Sequence, residues 1–420
     1  MIAPSFAPGD RKVPWLNQCP SRWEFRPLKY LCGINMHVLT EATEPETEFR
    51  YIDISSVDSE GRWTTSEPIK FADAPSRARR LLVDGDILIS TVRTYLRAIA
   101  YVDKAQEKLV CSTGFAVLSA NGLVNPRFLA YWVRSNFFID EIVARSNGVS
   151  YPAVNASDIG NLPFPLIEPD YQSAIATVLD RETARIDALI EKKQRQIGLL
   201  REKRAALIGH AVTKGLNPNA KMKDSGVEWL GMMPEHWELK RLKRIARLRS
   251  GESITAYEIG DNGEYPVYGG NGLRGYTSSS YTHDGNFVLI GRQGALCGCI
   301  NYGKGRFWAS EHAVVVIPIC HVATQWLGEL LRTMNLNRHS QSAAQPGLAV
   351  EAIAALLIPV PPHNEQHAIA TFLDHKTAGI DTLVEKVNKS IALIREYRMA
   401  LISAAVTGKI NVCKADGTGS

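Results

Sequence analysis

Gln172-Ser-Ala-Ile-Ala-Thr-Val-Leu-Asp-Arg181 and Gln366-His-Ala-Ile-Ala-Thr-Phe-Leu-Asp-His375 open two 42-residue stretches, 172–213 and 366–407, that align without a gap at a constant offset of 194. About 25 of the 42 positions are identical, where chance gives only a few. In the first stretch Ile175, Leu179, Ile186, Ile190, Ile197, Leu200, Leu207 and Ile208 recur at spacings that fall on one helical face. In the second, Ile369, Leu373, Ile380, Leu383, Ile391, Ile394 and Leu401 do the same. Glu, Lys, Arg and Gln fill the remaining faces, so each stretch is expected to be one long helix. Asp170 and Asn364 are the expected N-caps, because a short side-chain oxygen accepts a bond from a free helix N–H. Pro163, Pro165 and Pro169 precede the first helix, and Pro359, Pro361 and Pro362 the second. Gly215 and Gly408 follow the two ends, where left-handed caps are usual.

A 42-residue helix is about 60 Å long at 1.5 Å per residue, too long to bury its stripe inside a small domain. Two such helices with like stripes pack most simply on each other, antiparallel, as a ruler. A second match supports a duplication. Val13-Pro-Trp-Leu…Pro20-Ser-Arg-Trp23 aligns with Val227-Glu-Trp-Leu…Pro234-Glu-His-Trp237 at an offset of 214. The repeat therefore spans about 13–213 and 227–407, and its inner segments, about 30–160 and 244–355, share no obvious alignment. Like ends around unlike middles suit a frame that presents two different readers. Lys214–Asp224, rich in Asn, Pro, Gly and Lys, reads as an exposed linker.

Insert one carries strand-like runs at Phe49–Ile54, Asp86–Ser90, Ala98–Val102 and Gly114–Leu118. A helix from about Pro126 to Val143 follows, with Phe128, Leu129, Trp132, Val133, Phe137 and Ile142 as its buried face. Insert two repeats the plan with runs at Phe287–Ile290, Leu296–Ile300 and Ala313–Ile317, then a helix near Thr324–Met334. The expected fold class is α+β: a tandem pseudo-symmetric repeat of two globular α+β domains joined by two long antiparallel helices.

The 420 residues suggest two or three domains. With 45% apolar and 22% charged residues, the chain is too hydrophobic to be disordered. No run approaches the length of a membrane-spanning helix, and MIAPSFAPGDRK lacks a signal-peptide core. Seven scattered cysteines without a CxxC support neither a zinc ribbon nor a disulfide framework, and they read as reduced thiols in a cytoplasmic protein. A net charge of +5 permits a nucleic-acid partner without demanding one.

Side chains suited to base edges and phosphates cluster in both inserts. Insert one offers Arg77, Arg79, Arg80, Arg93, Tyr95 and Arg97. Insert two offers Asn271, Arg274, Tyr276, Arg292, Gln293, Lys304, Arg306 and His312. Arginine reads guanine bidentately, and Asn or Gln reads adenine. Catalytic signatures are missing from the sequence. It has no GxxxxGK[ST], no GxSxG, and no methyltransferase-type tetrapeptide, since Asn161-Leu-Pro-Phe164 has leucine at its second place. Asp170 and Glu191 would stand about 30 Å apart on one helix, too far to share a metal. His283 with Asp284, or Cys297 and Cys299 with His312, fit no common metal spacing, so no metal is expected.

The chain resembles the specificity subunit of type I restriction–modification systems. The resemblance rests on Gly215-Leu-Asn-Pro…Met222-Lys-Asp-Ser-Gly-Val-Glu-Trp-Leu-Gly-Met-Met-Pro-Glu-His-Trp237 and on the two helices with their Pro-x-Pro…Gln-x-Ala-Ile-Ala-x-x-Leu-Asp starts. Gly85-Asp86-Ile-Leu-Ile and Tyr265-Pro-Val-Tyr-Gly-Gly-Asn-Gly are also similar to family patterns. The first unit's lead-in is looser, with Asn17-Gln18-Cys19 in place of the usual turn. The resemblance implies a first target-recognition domain over 1–165, a central helix over 166–215 and a linker with the second lead-in over 216–235. A second target-recognition domain over 236–360, a C-terminal helix over 361–410 and a tail over 411–420 follow. Each insert would read one half of a bipartite, asymmetric site in double-stranded DNA. The helices would set the spacer and carry two adenine-methyltransferase subunits, with motor-nuclease subunits joining for restriction. The chain would itself do no chemistry; S-adenosylmethionine, ATP and Mg would sit on partners, and no membrane is implied. The residue pattern alone also fits a stand-alone DNA-binding or scaffold protein on the same frame.

Overall fold

The structure, a computed structural model, describes residues 14–103, 108–294, 297–340 and 347–410. The start of the chain, Leu296 of the expected strand and the expected tail 411–420 lie outside the described residues. The chain forms two compact units: unit 1 is Met1–Lys192 with Lys389–Ser420, and unit 2 is Lys193–Asn388. No helix among the described residues is long and apolar enough to cross a membrane.

Unit 1 contains β1 (Glu24–Pro27), β2 (Cys32–Ile34), β3 (Glu48–Ile52), β4 (Ile69–Lys70), β5 (Ala78–Leu82), β6 (Ile87–Ser90), β7 (Ile99–Tyr101), β8 (Leu109–Ser112) and β9 (Phe115–Ala120). Helices α1 (Pro126–Val133), α2 (Asn136–Arg145) and α3 (Ala156–Gly160), then β10 (Pro163–Leu166), lead to α4 (Pro169–Lys214). One sheet runs β2-β9-β6-β7, and another β4-β3-β8-β5 with β3 and β8 parallel. β1 closes antiparallel on β10, so the lead-in and the run before α4 are held together. Strands β6 and β8 are buried along their whole length, which is why they read as continuous apolar runs. Trp132 is fully buried among Trp15, Phe25, Phe128 and Phe164, and its indole donates to Pro163 O at 3.2 Å.

Unit 2 follows the same plan. Its strands are β11 (Met222–Asp224), β12 (Met232–Pro234), β13 (Glu238–Arg241), β14 (Ala246–Ser250), β15 (Tyr265–Gly269), β16 (Gly272–Thr277), β17 (His283–Asp284), β18 (Phe287–Gly291), β19 (Ile300–Gly303), β20 (Arg306–Ala309) and β21 (Ala313–Pro318). Then come α5 (Thr324–Thr333), α6 (Val350–Ala354), β22 (Leu357–Val360) and α7 (His363–Val406). Sheets β14-β21-β18-β19 and β16-β15-β20-β17 match the two sheets of unit 1, including the one parallel pair, β15 with β20. β13 pairs with β22 as β1 pairs with β10. Two inserts without a visible alignment thus share one topology, because what they share is the order of buried strands, as in β9 and β21, rather than residue identity.

Helices α4 and α7 each begin in one unit and end in the other. In unit 1 the start of α4 packs on the end of α7: Ile175 and Leu179 share a core with Ile402, Ala405 and Val406. In unit 2 Ile369 and Leu373 of α7 meet Ile208, Ala211 and Val212 of α4. The two helices run antiparallel in both. Twin ion pairs cross the seam: Arg398 to Asp187 in unit 1, Arg204 to Asp381 in unit 2, each member 194 residues from its counterpart. Gly215 (φ +76°) and Gly408 (φ +71°) end the helices in the left-handed region, against Trp237 and Trp23 respectively.

Several expectations need correction. Asp170 and Asn364 lie inside the helices, not at their caps. Pro169 takes the first helical position, where its fixed φ fits, and Glu168 O and Pro362 O accept the first backbone bonds. The capping is done from within instead. Gln172, fully buried, donates to Ile167 O and Leu123 O and accepts from Asn125 N; Gln366 donates to Pro361 O and accepts from Ala323 N. The expected helix from Pro126 to Val143 is two helices, broken where Ser135 N–H turns back to Trp132 O and half-buried Arg134 reaches Glu60 O. Phe138, not Phe137, takes the buried place. The strand expected from Leu296 begins at Ile300, because Gly298 (φ +87°) turns the chain first. Lys214 belongs to α4, and the linker ends in β11, which pairs with β12 beyond it. Leu383 does not join the helix seam: it is 50% exposed, like its counterpart Leu189 at 43%. Leu200, Leu207, Ile394 and Leu401 are half-buried, while Ile186, Ile190, Ile197, Ile380 and Ile391 are buried.

Candidate functional site

The sheets place the same loop at the same end of each unit. Ser90 pairs with Phe115, and Gly291 with Ala313. Beyond that pair, Thr91 N donates to Gly114 O and Arg292 N donates to His312 O, both at 2.9 Å. On the far side Val154 N donates to Thr91 O at 2.9 Å, and Leu348 N to Arg292 O at 3.0 Å. Thr91, Val92 and Arg93 therefore stand where unit 2 has Arg292, Gln293 and Gly294.

In unit 2 this end gathers Asn271, Arg274, Arg292, Gln293 and His312. The turn at Gly270 closes on the backbone of His312 and Gln293, and the Arg274 side chain lies across Gly269. Gln293 Oε1 meets His312 Nδ1 at 3.2 Å, and Arg292 Nη1 donates to Ser250 Oγ at 3.2 Å. A cleft of 650 Å³ is lined by Arg249, Ser250, Arg292, Gln293, Leu348 and Glu351. Tyr276 and Arg306 lie toward the other end of their sheet, about four residues along the strands. Arg306 there donates to Asp284 at 3.3 Å and sits over the Tyr281 ring. Lys304 is exposed in the β19–β20 turn.

In unit 1 Arg77 joins the same end, its carbonyl accepting from Thr113 N beside Gly114. Arg93 lies over the Tyr151 ring at 4.4 Å, and Tyr95 is 52% exposed on the turn between Arg93 and Arg97. Arg79 instead stacks on Phe71 at 4.8 Å, and Arg80 is half-buried, its guanidinium pKa lowered by burial. Arg97 donates to Asn136 Oδ1 at 2.8 Å and lines a 640 Å³ cavity with Asp58, Glu60, Arg62, Arg395 and Arg398. Most of that cavity's charges are already paired: Arg62 with Asp58 and Glu60, Arg395 with Glu60, and Arg398 with Asp187.

Four described residues other than glycine have positive φ: Asn35, Arg93, Arg97 and Asn335. Asparagine tolerates this region; for an arginine it costs roughly 1–2 kcal/mol. Arg93 (φ +50°) and Arg97 (φ +59°) bracket Tyr95, and their turn is braced by Arg93 N to Pro152 O and by Thr94 Oγ1 to Ser146 Oγ at 2.9 Å. The segment Ser146–Tyr151, with exposed Val149 and Tyr151, was not singled out from sequence. It is a loop without periodicity, brought to this end by long-range contacts: the strand bridge from Val92 to Ala153 and the bonds to Arg93 and Thr94.

The family model described as the type I restriction modification DNA specificity domain matches residues 20–199 and again 234–393. The chain belongs to this specificity family. The two matched stretches carry the four-stranded sheets of unit 1 and those of unit 2, each with its adjoining stretch of long helix. Within the family, the type I restriction enzyme EcoprrI specificity subunit of Escherichia coli is 42% identical over 154 residues, 36% of this chain and 37% of that protein. A putative type I restriction enzyme specificity subunit of Haemophilus influenzae is 32% identical over 120 residues, 28% of this chain and 31% of that protein. The chain thus spans about a third of the length of these two relatives. A solved structure concerned with complex assembly and conformational transition of the type I R-M system contains a chain of the same fold. Its TM-score is 0.69 at 24% identity, over 93% of this chain and 99% of that one.

Proposed function

We propose that this chain is the DNA-reading, non-catalytic subunit of a type I restriction–modification complex, each unit reading one half of a bipartite, asymmetric site in double-stranded DNA. One observation carries the reading: two units of one topology present different side chains on the same loop, Thr91-Val92-Arg93 against Arg292-Gln293-Gly294. A shared scaffold with unlike readers suits an asymmetric split site, with phosphate contacts supplying salt-dependent affinity and a few base-edge contacts the code. Arg77, Arg93, Tyr95, Asn271, Arg274, Arg292, Gln293 and His312 are the contact residues on this reading; Arg79, Tyr276 and Arg306 fall outside the two loop ends, and Arg97, on the unit 1 turn, is engaged by Asn136.

The partners in this proposal are two adenine-methyltransferase subunits, which would hold S-adenosylmethionine, and motor-nuclease subunits, which would use ATP and Mg. Exposed leucines support a repeated partner surface on the helices. Leu189 and Leu199 on α4 have counterparts Leu383 and Leu393 on α7, all 43–65% exposed. The domain division proposed from sequence, 1–165 and 236–360 as readers with helices 166–215 and 361–410, belongs to the same reading. Modified-base sequencing of a methylation-free host expressing the chain with its neighbouring methyltransferase gene tests it. A split motif bearing N6-methyladenine in both halves is expected. No methylation from a complex shown to be assembled overturns the reading in favour of a stand-alone binding protein.

A further inference from the structure

We propose that Arg93, backed by Tyr151, is the side chain with which unit 1 reads a guanine edge in the major groove. This rests on the DNA-reading function proposed above and names one of its specificity-determining residues.

Three independent observations converge on Arg93. The first is conformational. Arg93 occupies a left-handed position (φ +50°) whose equivalent in unit 2 is Gly294 (φ +82°). The fold asks for glycine there, and unit 2 has it; unit 1 keeps a long side chain at a backbone position that is costly for an L-residue. A strained residue that its own twin avoids is held for what its side chain does.

The second is the company it keeps. The Arg93 guanidinium lies over the Tyr151 ring at 4.4 Å, and among the described residues no carboxylate pairs with it. Its Nε is buried without a hydrogen-bond partner. Arginines elsewhere in unit 1, such as Arg62, Arg127, Arg395 and Arg398, hold carboxylates. Neither segment forming this tip, 88–97 nor 143–157, contains an Asp or Glu. A planar fork braced on an aromatic face and left without a counter-charge is prepared for an acceptor supplied from outside. The N7 and O6 pair of guanine fits that fork.

The third is presentation. Tyr95 (52% exposed) and Leu96 (51%) stand out on the Arg93 turn, and Val149 (102%) and Tyr151 (64%) on the segment tied to it by Arg93 N to Pro152 O and by the Thr94–Ser146 contact. Apolar side chains held rigidly beside a free arginine suit the walls of a groove, where thymine methyls and sugars offer apolar contact. The reading loop of unit 2 supplies base-edge chemistry two and one residues earlier, from Arg292 and Gln293, so the two units would address different bases.

The decisive variant is Arg93→Gly, because it installs the residue unit 2 uses and relieves the backbone instead of straining it. It is made in the full chain, assembled with the methyltransferase subunits, and read by modified-base sequencing together with binding to duplexes varied at each position of the half-site. The expected result is loss of discrimination, about tenfold or more, at one G·C pair of one half-site, with the other half unchanged and thermal stability equal or higher. Arg93→Lys, which keeps the charge without the fork, should lose the same discrimination, and Tyr151→Leu part of it. An Arg93→Gly complex that retains the full motif overturns the assignment. So does a uniform loss across all sequences, which would make Arg93 a phosphate contact. A wild-type complex that methylates no split motif fails the broader reading instead, so the two failures are distinguishable.

Discussion

The twin ion pairs across the helix seam give a controlled experiment within one chain. Arg398→Ala and Arg204→Ala remove the same residue from equivalent places, yet the structure assigns them different costs. Arg398 is 8% exposed and donates to both oxygens of Asp187, at 2.9 and 3.0 Å. Arg204 is 31% exposed, and its Nε stands 3.1 Å from Asp381 Oδ1 without hydrogen-bond alignment. A hydrogen bond to a charged group is worth roughly 1.5–3 kcal/mol, but two terms reduce the loss at Arg398. Asp187 is 45% exposed and can be rehydrated. Arg134, whose guanidinium pKa burial and then the Arg398 charge lower to about 10, is relieved when that charge leaves. Arg398 also lines the 640 Å³ cavity, so truncation admits water instead of leaving a dry void. The net expectation is about 2 kcal/mol for Arg398→Ala, seen as a drop of about 4–8 °C in the transition of unit 1, and less than about 1 kcal/mol for Arg204→Ala. Calorimetry of the two variants and of Asp187→Ala, closed as a double-mutant cycle, measures it. Equal losses at the two sites, or a larger one at Arg204, would refute the argument from burial and geometry.

Three further outcomes are expected. Gln172→Ala strands Asn125 N, Leu123 O and Ile167 O and should cost about 2–4 kcal/mol by denaturant unfolding, well above a surface Gln on the same helix. Arg292→Ala should relax one position in the half-site read by unit 2, by about 1–3 kcal/mol in binding to varied duplexes, and leave the other half-site intact. Asp86 has its carboxyl pKa raised by burial, although Ser119 Oγ and Val83 N donate to it. The proton-bound form is favoured in the folded state, so its contribution is present below the ordinary carboxylate pKa and lost as pH rises through the raised value. The stability difference between wild type and Asp86→Asn should therefore move toward wild type on acidification across that window; a flat difference would reject it.

The helices and the repeat were legible because a long amphipathic stripe written twice leaves little freedom: Ile175, Leu179, Ile369 and Leu373 are all buried as their spacing requires. The helix starts were not, because the caps come from Gln172 and Gln366, whose partners are backbone groups set by the tertiary fold. The shared topology of the inserts was hidden because a buried strand asks only for a continuous apolar run, which many residue sets satisfy. At the site, arginine-rich segments were visible, but Arg79, Arg97 and Arg306 have partners on Phe71, Asn136 and Asp284 that no local pattern reveals. Tyr151 was missed for the converse reason: its value comes only from the arginine laid on it.

The division of the long helices has a consequence for synthesis. Unit 2 is one contiguous stretch, Lys193–Asn388, whereas unit 1 needs residues from both ends of the chain. Ile402, Ala405 and Val406, which complete the core around Ile175 and Leu179, leave the ribosome more than two hundred residues after the helix face they cover. The half of the chain made first is thus the half that closes last, and until it does the apolar face of α4 waits uncovered on the nascent chain, a natural client for chaperones.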